Sequence, residues 1–287
     1  MSAPDLTLAD ITIHRIIEDE FPFLPVTTML PAVEEDILKA NRPWLTPHAL
    51  DDQDYVIICI QSYLVRTPHH TILIDGCIGN DKTSPFFPQF HQRRSDRFEQ
   101  ALLAADSSFE DIDYVMCTHL HSDHVGWNTR LQNGVWVPSF PKARYIFSKT
   151  EYDHVLAGQV SESTSMYRES VLPVVNAKRA DIVTNDFTIG DHVRLLPTPG
   201  HTPGHVAISF GKSGDEAIMT GDLLHSPLQI RYPHLSAVFD DDPVQSALTR
   251  QNFLARYCDT ETRCCFGHIS APAIGKIKRW GHGFRCV

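Results

Sequence analysis

No run in this 287-residue chain approaches eighteen consecutive apolar residues. That excludes a membrane-spanning helix. The start, Met1-Ser2-Ala3-Pro4-Asp5, has neither the basic nor the apolar portion of a secretory leader. Positive charge is scarce: 25 Lys and Arg face 35 Asp and Glu, a net charge of −10. A nucleic-acid partner normally needs a basic face, so none is expected. The seven cysteines (Cys59, Cys77, Cys117, Cys258, Cys264, Cys265 and Cys286) are odd in number and irregularly spaced. Reduced thiols in a cytoplasmic protein are the expectation, not a disulfide framework. Repeats, low-complexity tracts and linkers are also lacking. Strand-like and helix-like segments alternate throughout, so residues 1–287 read as a single α/β domain.

The chain does concentrate imidazoles. Thr118-His119-Leu120-His121-Ser122-Asp123-His124-Val125-Gly126 packs three His and one Asp into an H-x-H-x-D-H pattern. Borderline-soft divalent metals favour such nitrogen and oxygen donors. The apolar run Tyr114 to Cys117 precedes it and reads as a buried strand. The donors then sit on the loop at that strand's carboxyl end. In a tight loop, the alternate residues His119 and His121 can face one metal while Asp123 and His124 face another.

Three further segments bring donors to strand ends. Val193 to Leu196 reads as a strand delivering Pro197-Thr198-Pro199-Gly200-His201-Thr202-Pro203-Gly204-His205, which stiffens His201 between two Pro/Gly turns. His201 is the third imidazole for the first metal, and His205 is assigned a structural role in its turn. Ala217 to Asp222 reads as a strand whose final carboxylate can bridge two cations. Cys264 to Phe266 leads into His268, the last ligand. Asp75, at the end of a strand beginning at Thr71, is a candidate partner for a metal-bound imidazole.

Elsewhere, Ile11 and Ile13 alternate with polar residues as in a half-buried strand. The prolines of Phe21-Pro22-Phe23-Leu24-Pro25-Val26 argue for an irregular apolar loop. Tyr55 to Arg66 and Thr71 to Asp75 read as strands joined by a turn at Thr67-Pro68-His69-His70. Ser95 is a cap for a helix with Phe98, Ala101, Leu102 and Ala105 on one stripe. Ala143 to Phe147 reads as a strand. Lys149 to Val175 reads as largely helical, with breaks near Gly158 and Pro173. Asp242-Pro243 starts a helix with Val244, Ala247, Leu248, Leu254 and Tyr257 inward. The tail from Lys276 resembles a closing hairpin, with Lys276, Lys278 and Arg279 on a solvated face.

The ordered set His119, His121, Asp123, His124, His201, Asp222 and His268, with Pro-Gly-His-Thr-Pro-Gly-His and Thr-Gly-Asp, resembles the metallo-β-lactamase superfamily. The likeness runs from Asp75 to His268. Within that superfamily the chain looks most like the acyl-homoserine-lactone lactonases and methyl-parathion-type hydrolases. The resemblance implies an αββα sandwich with a dinuclear site at one edge of its two sheets. It implies one metal on His119, His121 and His201, and a second on Asp123, His124 and His268, with Asp222 bridging. Zinc is the first choice, with iron, manganese or cobalt as alternatives. Two such metals about 3.5–4 Å apart can share a hydroxide that attacks an ester carbonyl. Asp123 and His225 are the catalytic candidates. His225 stands where many of those lactonases carry a Tyr, and it is assigned a hydrogen bond or proton to the oxyanion or leaving group. Phe23, Phe86, Phe87, Trp127, Leu228 and Tyr232 are candidate pocket walls.

The implied enzyme is a metal-dependent hydrolase of a small lactone or ester, often dimeric in this family. A phosphotriesterase on the same site is the runner-up. A thioesterase, a nuclease, a flavin-partnered diiron oxygen reductase and a non-catalytic metal-binding module rank lower. The diiron reading expects a Glu in place of His121 and a fused flavodoxin.

Overall fold

The computed structural model describes residues 5–158, 163–212 and 214–287. Met1 to Pro4, read above as lacking a leader, and residues 159–162, within the helical stretch after Lys149, lie outside the described residues. Two compact units emerge: Met1–Asp19 with Ile60–Phe187, and Glu20–Cys59 with Thr188–Val287.

One sheet has strands β1 (Leu6–Leu8), β2 (Ile11–Pro25), β3 (Tyr55–Arg66), β4 (Thr71–Ile74), β5 (Tyr114–Met116), β8 (Arg144–Ser148) and β9 (Ala180–Val183), ordered β1-β2-β3-β4-β5-β8-β9, and the first unit holds all of it but the last residues of β2 and the first of β3. A separate hairpin pairs β6 (Thr129–Gln132) with β7 (Val135–Pro138). The turn between β3 and β4 closes with Thr67 N–H donating to His70 O at 2.9 Å, and His69 is exposed. From β4 through β5, β8 and β9 every pair is parallel. Their carboxyl ends therefore share one edge of the sheet, where ligands gather in such sheets. Ile74 pairs with Met116, so Asp75 emerges beside Cys117 and Thr118. The helix Arg97–Ala104 buries Phe98 and Leu102, and Phe98 stacks on Trp127 at 4.9 Å.

The second unit carries β10 (Thr188–Ile189), β11 (Val193–Pro197), β12 (Val206–Phe210), β13 (Ala217–Met219), β14 (Arg263–Cys265) and β15 (Ile274–Gly275) in one sheet, in that order. A closing hairpin pairs β16 (Ile277–Trp280) with β17 (Gly283–Cys286). β11 and β12 are antiparallel, β12 and β13 antiparallel, β13 and β14 parallel. The β11–β12 loop and the ends of β13 and β14 thus meet at one edge. A core of Ala207, Ile218, Phe253, Leu254, Phe266 and Phe284 packs the helix Pro243–Tyr257 within this unit.

Three local expectations need correction and a fourth is refined. Phe21 to Pro25 is not irregular: it ends strand β2. The φ of about −65° that proline imposes lies within extended space, and a missing N–H is tolerated where no ladder bond needs it. Helix Arg97–Ala104 takes Asp96 as its N-cap residue, while Ser95 Oγ accepts from Arg97 N–H at 3.2 Å. The break expected near Pro173 is a change of helix type: a π-helix, Tyr167–Val171, gives way to the α-helix Leu172–Asn176, with Pro173 in its first turn where the missing donor is harmless. In Pro243–Tyr257, Val244 is 80% exposed and Leu248 53% exposed. The buried stripe runs through Ser246, Arg250, Phe253, Leu254 and Tyr257, because a polar network claims the positions assigned to aliphatic side chains. Asp242 caps that helix as expected, accepting from Val244 and Gln245 N–H.

Candidate metal centre

In the first unit the chain leaves β5 at Cys117 and turns through a one-turn helix, Ser122–Val125, with His121 as its N-cap residue. The turn is pinned to the β4 exit: Gly76 N–H donates to His124 O at 2.6 Å, Gly126 N–H to Cys77 O at 2.8 Å and Trp127 N–H to Gly76 O at 2.6 Å. A Cβ on Gly126 would lie 1.8 Å from Ile78 O, so no larger residue fits this close approach.

Asp75 organises the imidazoles. Its carboxylate accepts from Thr118 N–H at 2.8 Å, Thr118 Oγ1–H at 2.9 Å and His124 Nδ1–H at 2.9 Å. The Thr118 hydroxyl proton is thereby used, so Oγ1 accepts from His119 Nδ1–H at 3.1 Å. Both rings are left with Nε2 as the electron-pair donor, the pattern typical of metal-binding histidines. His119 lies 4.6 Å from His121 and 4.1 Å from His124, centroid to centroid. Asp123 Oδ2 approaches His124 Nε2 at 3.7 Å. Glu151, itself buried, accepts from Leu120 N–H at 3.0 Å and fixes the loop from below.

In the second unit three imidazoles surround one carboxylate. Asp222 Oδ2 lies 3.4 Å from His201 Nε2 and 3.1 Å from His225 Nε2, and Oδ1 lies 3.1 Å from His268 Nε2. Ligand atoms of His201, Asp222 and His225 all fall within 4.8 Å of one another. Gly221, at φ 52°, turns the chain after β13 so that Asp222 points inward. His205 is fully engaged in structure, as expected: Nδ1 faces Thr198 Oγ1 at 2.8 Å, and Nε2 accepts from Asp222 N–H at 3.0 Å.

The opposite nitrogens are committed. His201 Nδ1–H donates to Asp240 Oδ1 at 3.0 Å, and His268 Nδ1–H donates to Cys59 O at 3.0 Å. Each neutral ring therefore turns an Nε2 lone pair toward an anionic oxygen. Two electron-pair donors at 3.1–3.4 Å repel unless positive charge lies between them. A divalent cation supplies that charge, so these residues fit the metal that the donor chemistry implies.

Asp240 and Arg250 are the functional residues that sequence reasoning missed. Asp240 accepts from His201, from Ala237 N–H at 3.0 Å and from Arg250 Nη2 at 3.3 Å. Burial alone would raise its carboxyl, but the His201 hydrogen bond and the positive charge of Arg250 help to hold it down at about 2. Arg250 is fully buried and also donates to Leu223 O, Pro233 O, Leu235 O and Ser246 Oγ. One guanidinium thus braces both the partner of His201 and the turn that carries Asp222. The sequence signal was faint: a charged residue at i+4 from Ser246 and i−4 from Leu254, on a stripe that turns apolar only at Phe253.

Of the candidate pocket walls, Trp127 and Leu228 are core residues, 2% and 0% exposed. Phe86 is 54% exposed. Phe23 lies 6.1 Å from Phe239, which lies 6.2 Å from His225. Tyr232 Oη accepts from Asn41 Nδ2 at 3.1 Å. Among the described residues no helix is long and apolar enough to cross a membrane.

Comparison with known proteins agrees with this chemistry. The metallo-beta-lactamase superfamily profile matches residues 60–268. An N-acyl homoserine lactonase of Bacillus sp is 32% identical over 220 residues, covering 72% of this chain and 78% of the relative. Another, from Bacillus cereus, is 28% identical over 184 residues, covering 63% and 64%. Among solved structures, the hydrolase AbOPH of the beta lactamase superfamily superposes with TM-score 0.81 at 21% identity, covering 98% of this chain and 95% of the other. AidC, a dizinc quorum-quenching lactonase solved with a product, gives 0.78 at 21% identity and the same coverage. The chain has the metallo-β-lactamase fold and belongs to the metallo-β-lactamase superfamily, as a metal-dependent, lactonase-like hydrolase.

Proposed function

We propose that this protein opens a lactone, or cleaves a related small carboxylic ester, at a dinuclear metal centre, with residues 1–287 acting as one catalytic domain. In this reading His119, His121 and His201 hold one metal, Asp123, His124 and His268 hold the other, and Asp222 bridges. Zinc is the expected occupant. Bound divalent metals supply Lewis acidity and lower the pKa of water toward about 7. The observation that carries the reading is the set of Nε2 lone pairs turned on Asp222 by committed Nδ1 hydrogen bonds.

The chain's own residues do the positioning. Asp75 and Asp240 fix ring orientation, and His205 fixes the Asp222 backbone. Asp123 is half-buried, and we assign it a catalytic role besides its ligand role. His225 Nε2 faces Asp222 Oδ2 at 3.1 Å, while its buried Nδ1 has no hydrogen-bond partner among the described residues, so Nδ1 donates to a substrate oxygen when the ring carries both of its protons. Nδ1 is thus the ring atom left to hydrogen-bond the substrate. Phe239 and the stacked His268 ring, 5.5 Å away, hold the imidazole in place.

The test is a metal-replete assay against lactones, aryl esters, phosphotriesters and thioesters. The expected outcome is highest kcat/KM on a lactone or small ester. Preference for a phosphotriester would replace the substrate class and leave the site intact. His225→Ala should keep its metals and lose about 10²–10³-fold in kcat on lactones. Parental kcat and KM on every substrate would make His225 purely structural.

A further inference from the structure

The second unit contains a cavity of about 610 Å³ that the metal chemistry does not use. Its floor is apolar and closed: Leu45, Ile230, Ile269 and Phe284 are all at most 2% exposed. Its walls are Trp44 and Trp280, whose rings meet edge to face at 5.3 Å. Arg231 lies over Trp280 at 4.8 Å and stiffens that wall. Small-ligand pockets typically span about 300–1,000 Å³, mostly apolar with a few placed polar groups.

The polar groups here are His48 and, on β17 at the rim, the cationic Arg285. Three other basic residues of this tail are engaged elsewhere. Lys276 pairs with Glu261, Lys278 lies 3.6 Å from Asp259, and Arg279 lies over the Phe284 ring at 4.4 Å. Arg285 has no acidic partner among the described residues, and it stands directly opposite Lys278 in the hairpin register. Two like charges opposed across strands destabilise the pair. An anion at Arg285 relieves that repulsion, and a guanidinium matches a carboxylate in bidentate geometry.

We propose that this cavity binds an amphiphilic monocarboxylate, with the carboxylate on Arg285 and a linear apolar tail lying along the floor against the Trp44–Trp280 pair. Two sources share that chemistry: a free fatty acid, and the acyl-chain hydroxy acid released by lactone opening. The cavity is lined by Pro227 and Ile269, which follow His225 and His268 closely in the chain. Its occupation therefore touches the segments that carry both imidazoles. The site's own residues make it independent of the lactonase reading.

Binding, not turnover, tests it. Decanoate is titrated into metal-replete protein below its micellar concentration, by calorimetry and by tryptophan emission. Saturable binding is expected, with affinity rising about fourfold per added methylene from hexanoate upward. The emission change should vanish in a Trp44→Phe, Trp280→Phe double variant. Arg285→Glu should bind decanoate at least about tenfold more weakly and decanol unchanged. N-decanoyl homoserine is the second arm: tighter binding than decanoate points to the reaction product, weaker binding to a fatty acid, and either supports the site. Absence of saturable binding overturns the proposal. So does equal decanoate affinity in parent and Arg285→Glu, which would mean the carboxylate sits elsewhere, the metals included.

Discussion

The donor sets of the two units are built in opposite ways. His119, His121, Asp123 and His124 lie within six residues, and backbone bonds from Gly76, Gly126 and Trp127 fix their loop, with the buried carboxylates of Asp75 and Glu151 beneath it. His201, Asp222 and His268 are spread over 68 positions, and buried side chains hold them: Asp240, Arg250 and His205. A local set costs the fold little, because neighbours in sequence need only one turn. A dispersed set needs a polar network inside the core, where every missing partner leaves a desolvated charge.

The largest expected effect falls on the group that three imidazoles share. Asp222→Asn removes the negative charge facing His201, His225 and His268. Metal content should fall, and turnover should drop by about 10²-fold or more. Full activity with full metal content would reduce Asp222 to a turn residue.

The contrast sharpens with a matched pair. Asp75→Asn and Asp240→Asn each remove the anion behind one imidazole, and each should weaken metal binding by about 10–100-fold. Only Asp240→Asn also strips the anion from a fully buried arginine, so only it should lower Tm substantially. A larger Tm loss in Asp75→Asn would reverse the assignment of local and dispersed sets.

Arg250→Met isolates the network itself. It leaves Asp240 without its guanidinium and opens the contacts to Leu223, Pro233 and Leu235. Breaking a buried pair from one side typically costs about 3–5 kcal/mol, readable by urea denaturation of the metal-replete protein. Stability within about 0.5 kcal/mol of the parent would show that Arg250 is dispensable.

How much of this was legible follows the same contrast. The H-x-H-x-D-H loop, His201, Asp222 and His268 stand out because each follows an apolar strand and ends in turn residues. Asp75 as an imidazole partner was legible for the same reason, and the structure puts it on His124. Arg250 was hidden because little in a fifteen-residue helix distinguishes a buried arginine from a solvated one, and Asp240 because it is one of three consecutive aspartates before that helix. The strand ending at Pro25 was obscured by its prolines. The helix Glu35–Leu45, which supplies Trp44 and Leu45 to the cavity, drew no assignment, and it carries Pro43 inside its last turn.

The smallest effect concerns a group remote from both sets in role. Lys82 Nζ donates to Thr129 Oγ1 at 2.6 Å and Glu169 O at 3.1 Å and lies 3.7 Å from the Trp136 ring centroid. Burial lowers its pKa to about 7 against the pull of Glu169 and Asp81. With the folded value below the unfolded one, the unfolded chain binds the extra proton between pH 7 and about 10.4. Stability therefore rises with pH across that window. Lys82→Met should flatten the rise in Tm, and an unchanged pH profile would show that the amine stays charged in the fold.

The central claim is that seven side chains serve two metals, and metal stoichiometry tests it most directly. Protein purified without chelator in metal-replete buffer is measured by elemental analysis against chain concentration. Two equivalents per chain are expected, falling toward one or fewer in Asp222→Asn. A reproducible single equivalent in the parent protein would contradict the dinuclear account.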